Sequence, residues 1–358
     1  MFFENLQEPV LVCPLVFSRP AYFFHYCPDI AYFTLTMVTI TISPNDASVR
    51  LDRFLRKRLA LRTLSDIYRM IRTGFARING KRVKENYRLQ EGDTIELRMN
   101  EAELSSGKQE NEQALADLSK TEFFKRNLKI VYEDESLIAC DKPPHLVVHP
   151  GTGHEGHATL IDLVKSYMLT KGKRDADTDP VLVHRLDRDT SGIILIAKNK
   201  AVVRKLHALL RGHELTKKYL AVCHGAPPKQ QGFVEADLIK TLERNEGTKM
   251  RVGENGLYSK TEYKVAKRGQ GLSKLELTIV TGRTHQIRVH MAHIGCPIVG
   301  DVRYGDAEKD RHLFSKSGVV RRLYLHAGVI SFIHPKDGRR LTLTVLEPDE
   351  FSAIMKPG

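Results

Sequence analysis

Apolar residues between positions 50 and 75 recur at the spacing of α-helices. The members of the two sets are Leu51, Phe54, Leu55 and Leu59, then Ile67, Met70 and Ile71. The second helix is expected to start at Asp66, with Ser65 as its N-cap and Gly74 as its stop. The pattern therefore predicts two short helices that follow each other closely.

Short β-like runs surround these helices and predict a small sheet. A strand is expected over Val38–Ile42, and the runs Ala76–Ile78 and Arg82-Val83 flank Asn79-Gly80, a dipeptide typical of hairpin turns. A further strand is expected over Thr94–Leu97. Two helices and this sheet would form a compact α+β module.

From about residue 123 onward, β-like runs alternate irregularly with a few helices. These runs are Leu128–Tyr132, Leu137–Cys140, Ile193–Ala197, Tyr219–Cys223, Lys274–Val280 and Leu341–Val345. Their spacing does not follow a repeated strand-helix-strand order. It favours an α+β fold built on a large mixed or antiparallel sheet over a doubly wound fold.

The chain is expected to divide into four segments. They are an N-terminal extension (1–37), a small module (38–98), a linker (99–122) and a large domain (123–358). Prolines and charges interrupt the extension, and Met37 is a candidate for the native initiator. The linker is polar and acidic, with a helical turn expected near Ala114–Leu118. No stretch of about 18 apolar residues is present, so the sequence predicts no membrane-spanning helix.

Positive charge is concentrated in the small module. The formal net charge of the whole chain is +13, which favours a polyanionic partner such as nucleic acid. The basic residues expected to contact RNA there are Arg53, Arg56, Arg69, Arg72, Arg77, Lys81 and Arg82. Guanidinium groups suit bidentate phosphate contacts, which position RNA without reading its sequence. The alternative is a solvated basic face without a ligand.

The sequence predicts neither a disulfide framework nor a metal site. The cysteines are scattered and form no Cys-x-x-Cys pair: Cys13, Cys27, Cys140, Cys223 and Cys296. A reducing cytoplasm fits this usage best. Asp187, Asp189, Ser191 and Gly192 match positions one, three, five and six of a calcium-binding EF-hand loop, but Lys198 occupies position twelve, where that loop needs a glutamate. His285, His290 and His293 have no acidic or thiolate companion, so hydrogen-bonding or RNA-facing roles are expected for them.

Ionisable residues crowd one polar loop in front of a buried strand. His184-Arg185-Leu186-Asp187-Arg188-Asp189-Thr190-Ser191-Gly192 precedes the apolar run Ile193–Ala197. Catalytic side chains are commonly placed on loops that rigid strands hold. Taken alone, the segment also fits an ordinary exposed turn.

Several segments together resemble the RluA family of pseudouridine synthases. Besides the loop, these segments are Asp141–Pro150, Lys218–Ala221, Thr281–His290, Gly295–Gly305 and Leu325–Ala327, in the order of that family. The basic module in front resembles the alpha-L RNA-binding domain, which a small-subunit ribosomal protein and several RNA-modifying enzymes share. The combination is most similar to the branch that acts on large-subunit ribosomal RNA.

The resemblance implies a role for individual residues of this chain. Asp187 is expected to be the nucleophile, Arg288 its ion-pair partner and Tyr219 the aromatic wall of a pocket for a flipped uridine. Arg185, Arg283 and His184 are expected to contact RNA or steady the loop, and Asp189 to brace it. The resemblance implies an isomerisation that needs no cofactor, in agreement with the absence of a Gly-rich nucleotide loop in the sequence.

Other interpretations stay open at this point. Transfer RNA is an alternative substrate, and a non-catalytic RNA-binding or ribosome assembly factor is an alternative function. The same carboxylate of Asp187 also serves attack on C1′ of the sugar, attack on C6 of the base, or elimination through a glycal. Intact Asp187, Arg288 and Tyr219 favour an enzyme. A monomer in the cytoplasm is the simplest expectation.

Overall fold

The computed structural model of the protein describes residues 37–44, 46–59, 64–99, 112–149, 158–172, 180–243 and 247–356. The predicted N-terminal extension lies outside these residues except for Met37. Residues 100–111 of the predicted linker also lie outside them.

The first described unit is a small three-stranded antiparallel sheet covered by two helices. Its elements are β1 (Met37–Thr41), α1 (Leu51–Arg58), α2 (Leu64–Thr73), β2 (Ala76–Ile78) and β3 (Thr94–Arg98). The strand order is β1-β3-β2. Apolar side chains of both helices, among them Leu51, Leu55, Ile67 and Ile71, are buried together with Ile78, Ile95 and Leu97. The predicted α+β module is therefore present.

Two local predictions in this unit are wrong, and one is confirmed. Ser65 lies inside α2, so its side chain cannot serve as the N-cap. Arg82-Val83 does not form a strand, because the pairing after the Asn79-Gly80 turn ends with an isolated bridge between Ile78 and Lys81. Helix α2 ends before Gly74, whose φ of 78° suits a glycine at a helix end.

Within the described residues, the large domain contains a ten-stranded sheet and a separate hairpin. The strands of the sheet are β4 (Ile130–Glu133), β5 (Leu137–Lys142), β6 (Val181–Leu182), β7 (Ser191–Ala197), β8 (Thr216–His224), β9 (Gln231–Glu235), β12 (Lys260–Gly269), β13 (Leu272–Ile279), β14 (Leu325–Ile333) and β15 (Arg340–Thr344), and the hairpin consists of β10 (Leu238–Glu243) and β11 (Gly247–Val252). The main strand order is β4-β5-β7-β14-β8-β13-β12-β9, while β6 pairs with β7 and β15 with β14. Strands β7 and β14 are parallel and the other pairs antiparallel, so the predicted mixed sheet is confirmed.

Helices cover both faces of this sheet. They are α3 (112–119), α4 (Glu122–Asn127), α5 (Leu160–Thr170), α6 (Lys200–Arg211), α7 (Gln286–His293), α8 (Ala307–Ser317) and α9 (Asp349–Ala353). Strand β7 carries apolar side chains on both faces, so the sheet needs helices on both sides. Ile194 and Ile196 pack with α5, while Ile193 and Leu195 pack with α6 on the opposite face. None of the described helices is long and apolar enough to cross a membrane.

Part of the predicted linker is ordered as helix α3. Leu115 is buried, and the Ser166 hydroxyl on α5 donates a hydrogen bond to its carbonyl oxygen. Leu118 packs against the core that α5 helps to form. The helical turn expected near Ala114–Leu118 is thus a helix of eight described residues that contacts the large domain.

Strands β7 and β14 approach each other most closely at Gly192. A Cβ at this position would lie 2.2 Å from the carbonyl oxygen of Ala327, and the φ of Gly192 is +112°. Both facts exclude any larger residue without movement of the backbone. Because β7 begins directly after the polar loop 184–190, this close approach also sets where the loop leaves the sheet.

We predict that Gly192→Ala lowers the free energy of unfolding by about 2–5 kcal/mol, because it adds both a steric clash and backbone strain. Urea unfolding followed by circular dichroism measures the change. Gly269→Ala is the control, since Gly269 has no atom within 4 Å of its Cβ position. Equal stability of the Gly192→Ala and Gly269→Ala proteins would contradict the prediction.

Candidate active site

The polar loop 184–190 is tied to the neighbouring loop by a buried lysine. The ammonium of Lys142 at the end of β5 is fully buried and donates to the carbonyl oxygens of Pro143, Leu146 and Arg188 at 2.8, 2.9 and 2.7 Å. Burial lowers the pKa of Lys142 to about 7, although the nearby Asp189 and Asp187 act in the opposite direction. The three donors of one ammonium thus join two loops distant in sequence.

The two carboxylates of this loop have different surroundings. Asp189 accepts hydrogen bonds from Arg188 at 3.0 Å and contacts His145 Nδ1 at 2.9 Å. Asp187 instead faces Arg288, whose Nη1 lies 3.2 Å from its Oδ2. Asp189 is therefore held by contacts within the loops, whereas Asp187 faces helix α7.

Arg288 is held in place by a second, deeper carboxylate. Its Nε and Nη2 donate to the two oxygens of Asp301, each at 2.7 Å, and both side chains are almost completely buried. Asp301 also accepts the backbone N–H groups of Arg303 and Tyr304. Burial alone would lower the pKa of Arg288, but Asp301 and then Asp187 outweigh it, so the net pKa is raised and the guanidinium stays charged.

A histidine lies on the other side of Asp187. His285 Nε2 is 3.8 Å from Asp187 Oδ1, and its Nδ1 is 2.8 Å from the Tyr304 hydroxyl oxygen. That hydroxyl oxygen accepts the backbone N–H of Met250 on β11, so the β10–β11 hairpin is connected to the site. Burial lowers the pKa of His285, which favours its neutral form. The Arg288 guanidinium also lies over the Tyr304 ring, 5.0 Å from its centroid.

Asp187, Arg288 and Tyr219 line one cavity of about 880 Å³. This volume lies within the range of small-molecule sites and accommodates a nucleotide. Tyr219 on β8 is buried, and burial together with the charge of Asp187 raises its pKa, so the hydroxyl stays protonated. The structure thus brings together the three residues that the sequence placed at the chemical centre.

The other residues of this domain that were expected to contact RNA are Arg185, Arg283 and His184, and they differ in exposure. Arg185 and Arg283 are exposed at the cavity, and Arg283 Nε donates to the carbonyl oxygen of Tyr258. His184 Nε2 accepts the N–H of Leu195, and burial lowers the pKa of His184 to about 3, so the ring is neutral and steadies β7. Its contact with RNA stays a prediction.

The basic residues predicted in the small module do not line the cavity within the described part of the chain. Those with exposed side chains are Arg53, Arg56, Arg69, Arg72, Lys81 and Arg82, whereas Arg77 is half-buried. Arg69 pairs with Asp66 at 2.7 Å. A surface ion pair of this kind is weak and leaves the guanidinium able to contact phosphate.

Three residues of the site carry no sequence-based prediction: Lys142, Asp301 and Tyr304. All three lie in segments that resemble the family, but nothing in the pattern shows that their side chains point inward. His290 is buried and contacts the Thr261 hydroxyl oxygen at 3.0 Å, while His293 is exposed. Among the described residues, no group of three histidine, cysteine or acidic side chains is arranged to hold a metal ion.

Comparison with protein families identifies both units. Residues 136–293 match the family model described as RNA pseudouridylate synthase, and residues 49–95 match the S4 domain. The chain is also similar in fold to the solved structure named "Human RNA Pseudouridylate Synthase Domain Containing 4". That likeness has a TM-score of 0.53 and 24% sequence identity, and covers 68% of this chain and 95% of the human one.

Two bacterial relatives match nearly the whole chain. "Ribosomal large subunit pseudouridine synthase C" of Buchnera aphidicola subsp. Schizaphis graminum is 36% identical over 87% of this chain and 94% of its own length. The protein of the same name in Escherichia coli is also 36% identical, over 85% of this chain and 91% of its own length. The chain therefore belongs to the RNA pseudouridylate synthase family, with an S4 domain in front of the catalytic domain.

Proposed function

We propose that this protein isomerises specific uridines of large-subunit ribosomal RNA to pseudouridine. The observation that carries the proposal is the position of Asp187, a carboxylate paired with a buried arginine in a cavity whose wall includes Tyr219. The names of the relatives support the choice of RNA, and the basic S4 domain agrees with a structured RNA substrate. A cytoplasmic location and a monomeric state are part of the proposal.

The cavity suits a uridine that has been flipped out of the base stack of the RNA. Flipping a nucleotide costs a few kcal/mol, and stacking on an aromatic ring offsets part of this cost. Tyr219 provides such a ring beside Asp187. Arg288 contacts the Asp187 carboxylate at 3.2 Å and orients it in the cavity as the proposed nucleophile.

The reaction that this site would perform replaces the bond between N1 of uracil and C1′ of ribose by a bond between C5 and C1′. The N1–C1′ glycosidic bond breaks, the base turns, C5 bonds to C1′, and the proton on C5 is lost while N1 gains one. Arg288 orients the Asp187 carboxylate, and the cavity keeps the freed uracil close to the ribose. Nothing is consumed, and any bond that Asp187 forms to the nucleotide is broken again before the product leaves, so the task of the protein is binding, orientation and transient covalent catalysis.

We predict that Asp187→Asn abolishes pseudouridine formation and that Asp189→Asn retains most of it, because only Asp187 faces the cavity and Arg288. Purified variants are compared by tritium release from ribosomal RNA labelled at C5 of uridine, since the C5 proton is lost in the reaction. Activity in Asp187→Asn, or loss only in Asp189→Asn, would show that the nucleophile has been assigned wrongly.

We predict that Asp301→Asn lowers kcat about 10- to 100-fold and changes KM less, because Arg288 loses the ionic partner that orients it towards Asp187. Asp134→Asn serves as a control, since Asp134 accepts hydrogen bonds from Tyr132 and two backbone N–H groups outside the cavity. That variant should lose stability but retain kcat. A normal kcat for Asp301→Asn would contradict the orienting role.

The S4 domain should act through electrostatic attraction to phosphates. The double variant Arg53→Ala and Arg56→Ala removes two exposed guanidinium groups from α1. We predict weaker RNA binding and a salt dependence whose slope falls by about 0.9 per lost phosphate contact, with kcat unchanged. Filter binding at several salt concentrations measures the slope. A double Lys120→Ala and Lys125→Ala variant is the charge-matched control, and an equal effect of both double variants would refute a specific role for α1.

A further inference from the structure

Lys217 is a half-buried cation that the proposed chemistry leaves unused. It lies on β8, two residues before Tyr219, and lines the same cavity. Within the described part of the chain its ammonium makes no hydrogen bond or ion pair, and burial lowers its pKa to about 8 without a carboxylate to oppose the effect. The side chain is half-buried and lines the cavity, so its ammonium is available to an anionic group of the substrate.

The geometry of β8 directs Lys217 into the substrate site. Side chains two residues apart on a strand point to the same face and are separated by about 6.6 Å along it. Lys217 therefore lies beside Tyr219, whereas the exposed Lys218 points to the other face. The ammonium nitrogen is 3.6 Å from the position that a Cβ would occupy at Gly282. This is an ordinary contact distance, so the ammonium lies beside Gly282 in the cavity wall.

The charges around the cavity indicate what this space receives. Asp187 is the one carboxylate among the described residues that line it. The cations of the lining are Arg185, Arg211, Lys217, Arg283 and Arg288. Burial and then the charge of Lys217 lower the pKa of the neighbouring His184. His184 is therefore neutral and adds no negative charge beside the ammonium. The cavity thus has an excess of positive charge next to the aromatic wall.

We propose that Lys217 binds a backbone phosphate that adjoins the flipped uridine. The inference rests on the proposed function and adds a phosphate subsite to it. Uracil and ribose are neutral at physiological pH, so the phosphates are the only anions of the substrate. A base stacked on Tyr219 brings the phosphates of its own nucleotide within reach of a side chain one strand repeat away. The charge pair then offsets the burial of the ammonium, and it anchors the nucleotide while the base turns.

Lys217→Met tests the subsite, with Lys218→Met as the control that removes the same charge from the opposite face of β8. The substrate is a ribosomal RNA fragment that contains a uridine modified by the wild-type protein. It is prepared by ligation with a normal linkage, or with an uncharged methylphosphonate on either the 5′ or the 3′ side of that uridine. We expect Lys217→Met to raise KM about tenfold or more on the normal RNA, and Lys218→Met to have little effect.

The decisive comparison combines the variant with the modified RNA. For the wild-type protein, one of the two methylphosphonates should raise KM as much as Lys217→Met does, and this identifies the phosphate as the 5′ or the 3′ one. The same methylphosphonate should have no further effect on Lys217→Met. An equal response of wild type and Lys217→Met to both modified RNAs would overturn the subsite.

Urea unfolding distinguishes a phosphate subsite from a structural role of Lys217. Lys217→Met should unfold at the same urea concentration as wild type or a higher one, because it removes a half-buried charge that has no ionic partner among the described residues. A lower midpoint together with an unchanged response to methylphosphonates would assign Lys217 a structural role and overturn the proposal. A wild-type protein that forms no pseudouridine in any normal RNA would overturn the proposed function itself.

Discussion

The buried ion pair between Arg288 and Asp301 is the interaction on which the candidate site depends. Two hydrogen bonds of 2.7 Å fix the plane of the guanidinium, and this leaves Nη1 directed at Asp187. Removing a charged group from water costs several kcal/mol, which the second carboxylate and its backbone donors offset. Asp187 then meets a cation that is already oriented, so little reorganisation is needed when the substrate arrives.

The sheet brings these groups together from distant parts of the chain. Asp187 and Arg288 are separated by 101 positions in the sequence and come into contact because β7, β14 and β8 are neighbours at the centre of the sheet. Gly192 allows the tight approach of β7 to β14, and Lys142 joins the loop of Asp187 to the loop after β5. The loop that carries Asp187 is thus held from both of its sides by buried contacts.

Local patterns were sufficient for some features and insufficient for others. The strand Ile193–Ala197 and the end of α2 near Gly74 follow from an apolar run and a glycine stop, which act over a few residues. The inward direction of Asp301 depends on Arg288, 13 positions earlier, and that of Lys142 depends partly on Arg188, 46 positions later. No local spacing of residues predicts either contact. Strand β14 was missed because the small residues Ala327 and Gly328 interrupt its apolar alternation at the place where β7 comes close.

The central claim is that this protein makes pseudouridine in large-subunit ribosomal RNA, and mapping the modification in cells tests it most directly. Ribosomal and transfer RNA from cells with and without the gene are treated with carbodiimide and read by reverse transcription. We expect a small set of stops in large-subunit ribosomal RNA to disappear with the gene and to return with a plasmid copy. Stops lost only from transfer RNA would contradict the substrate, and unchanged stops in both RNAs would contradict the enzymatic function.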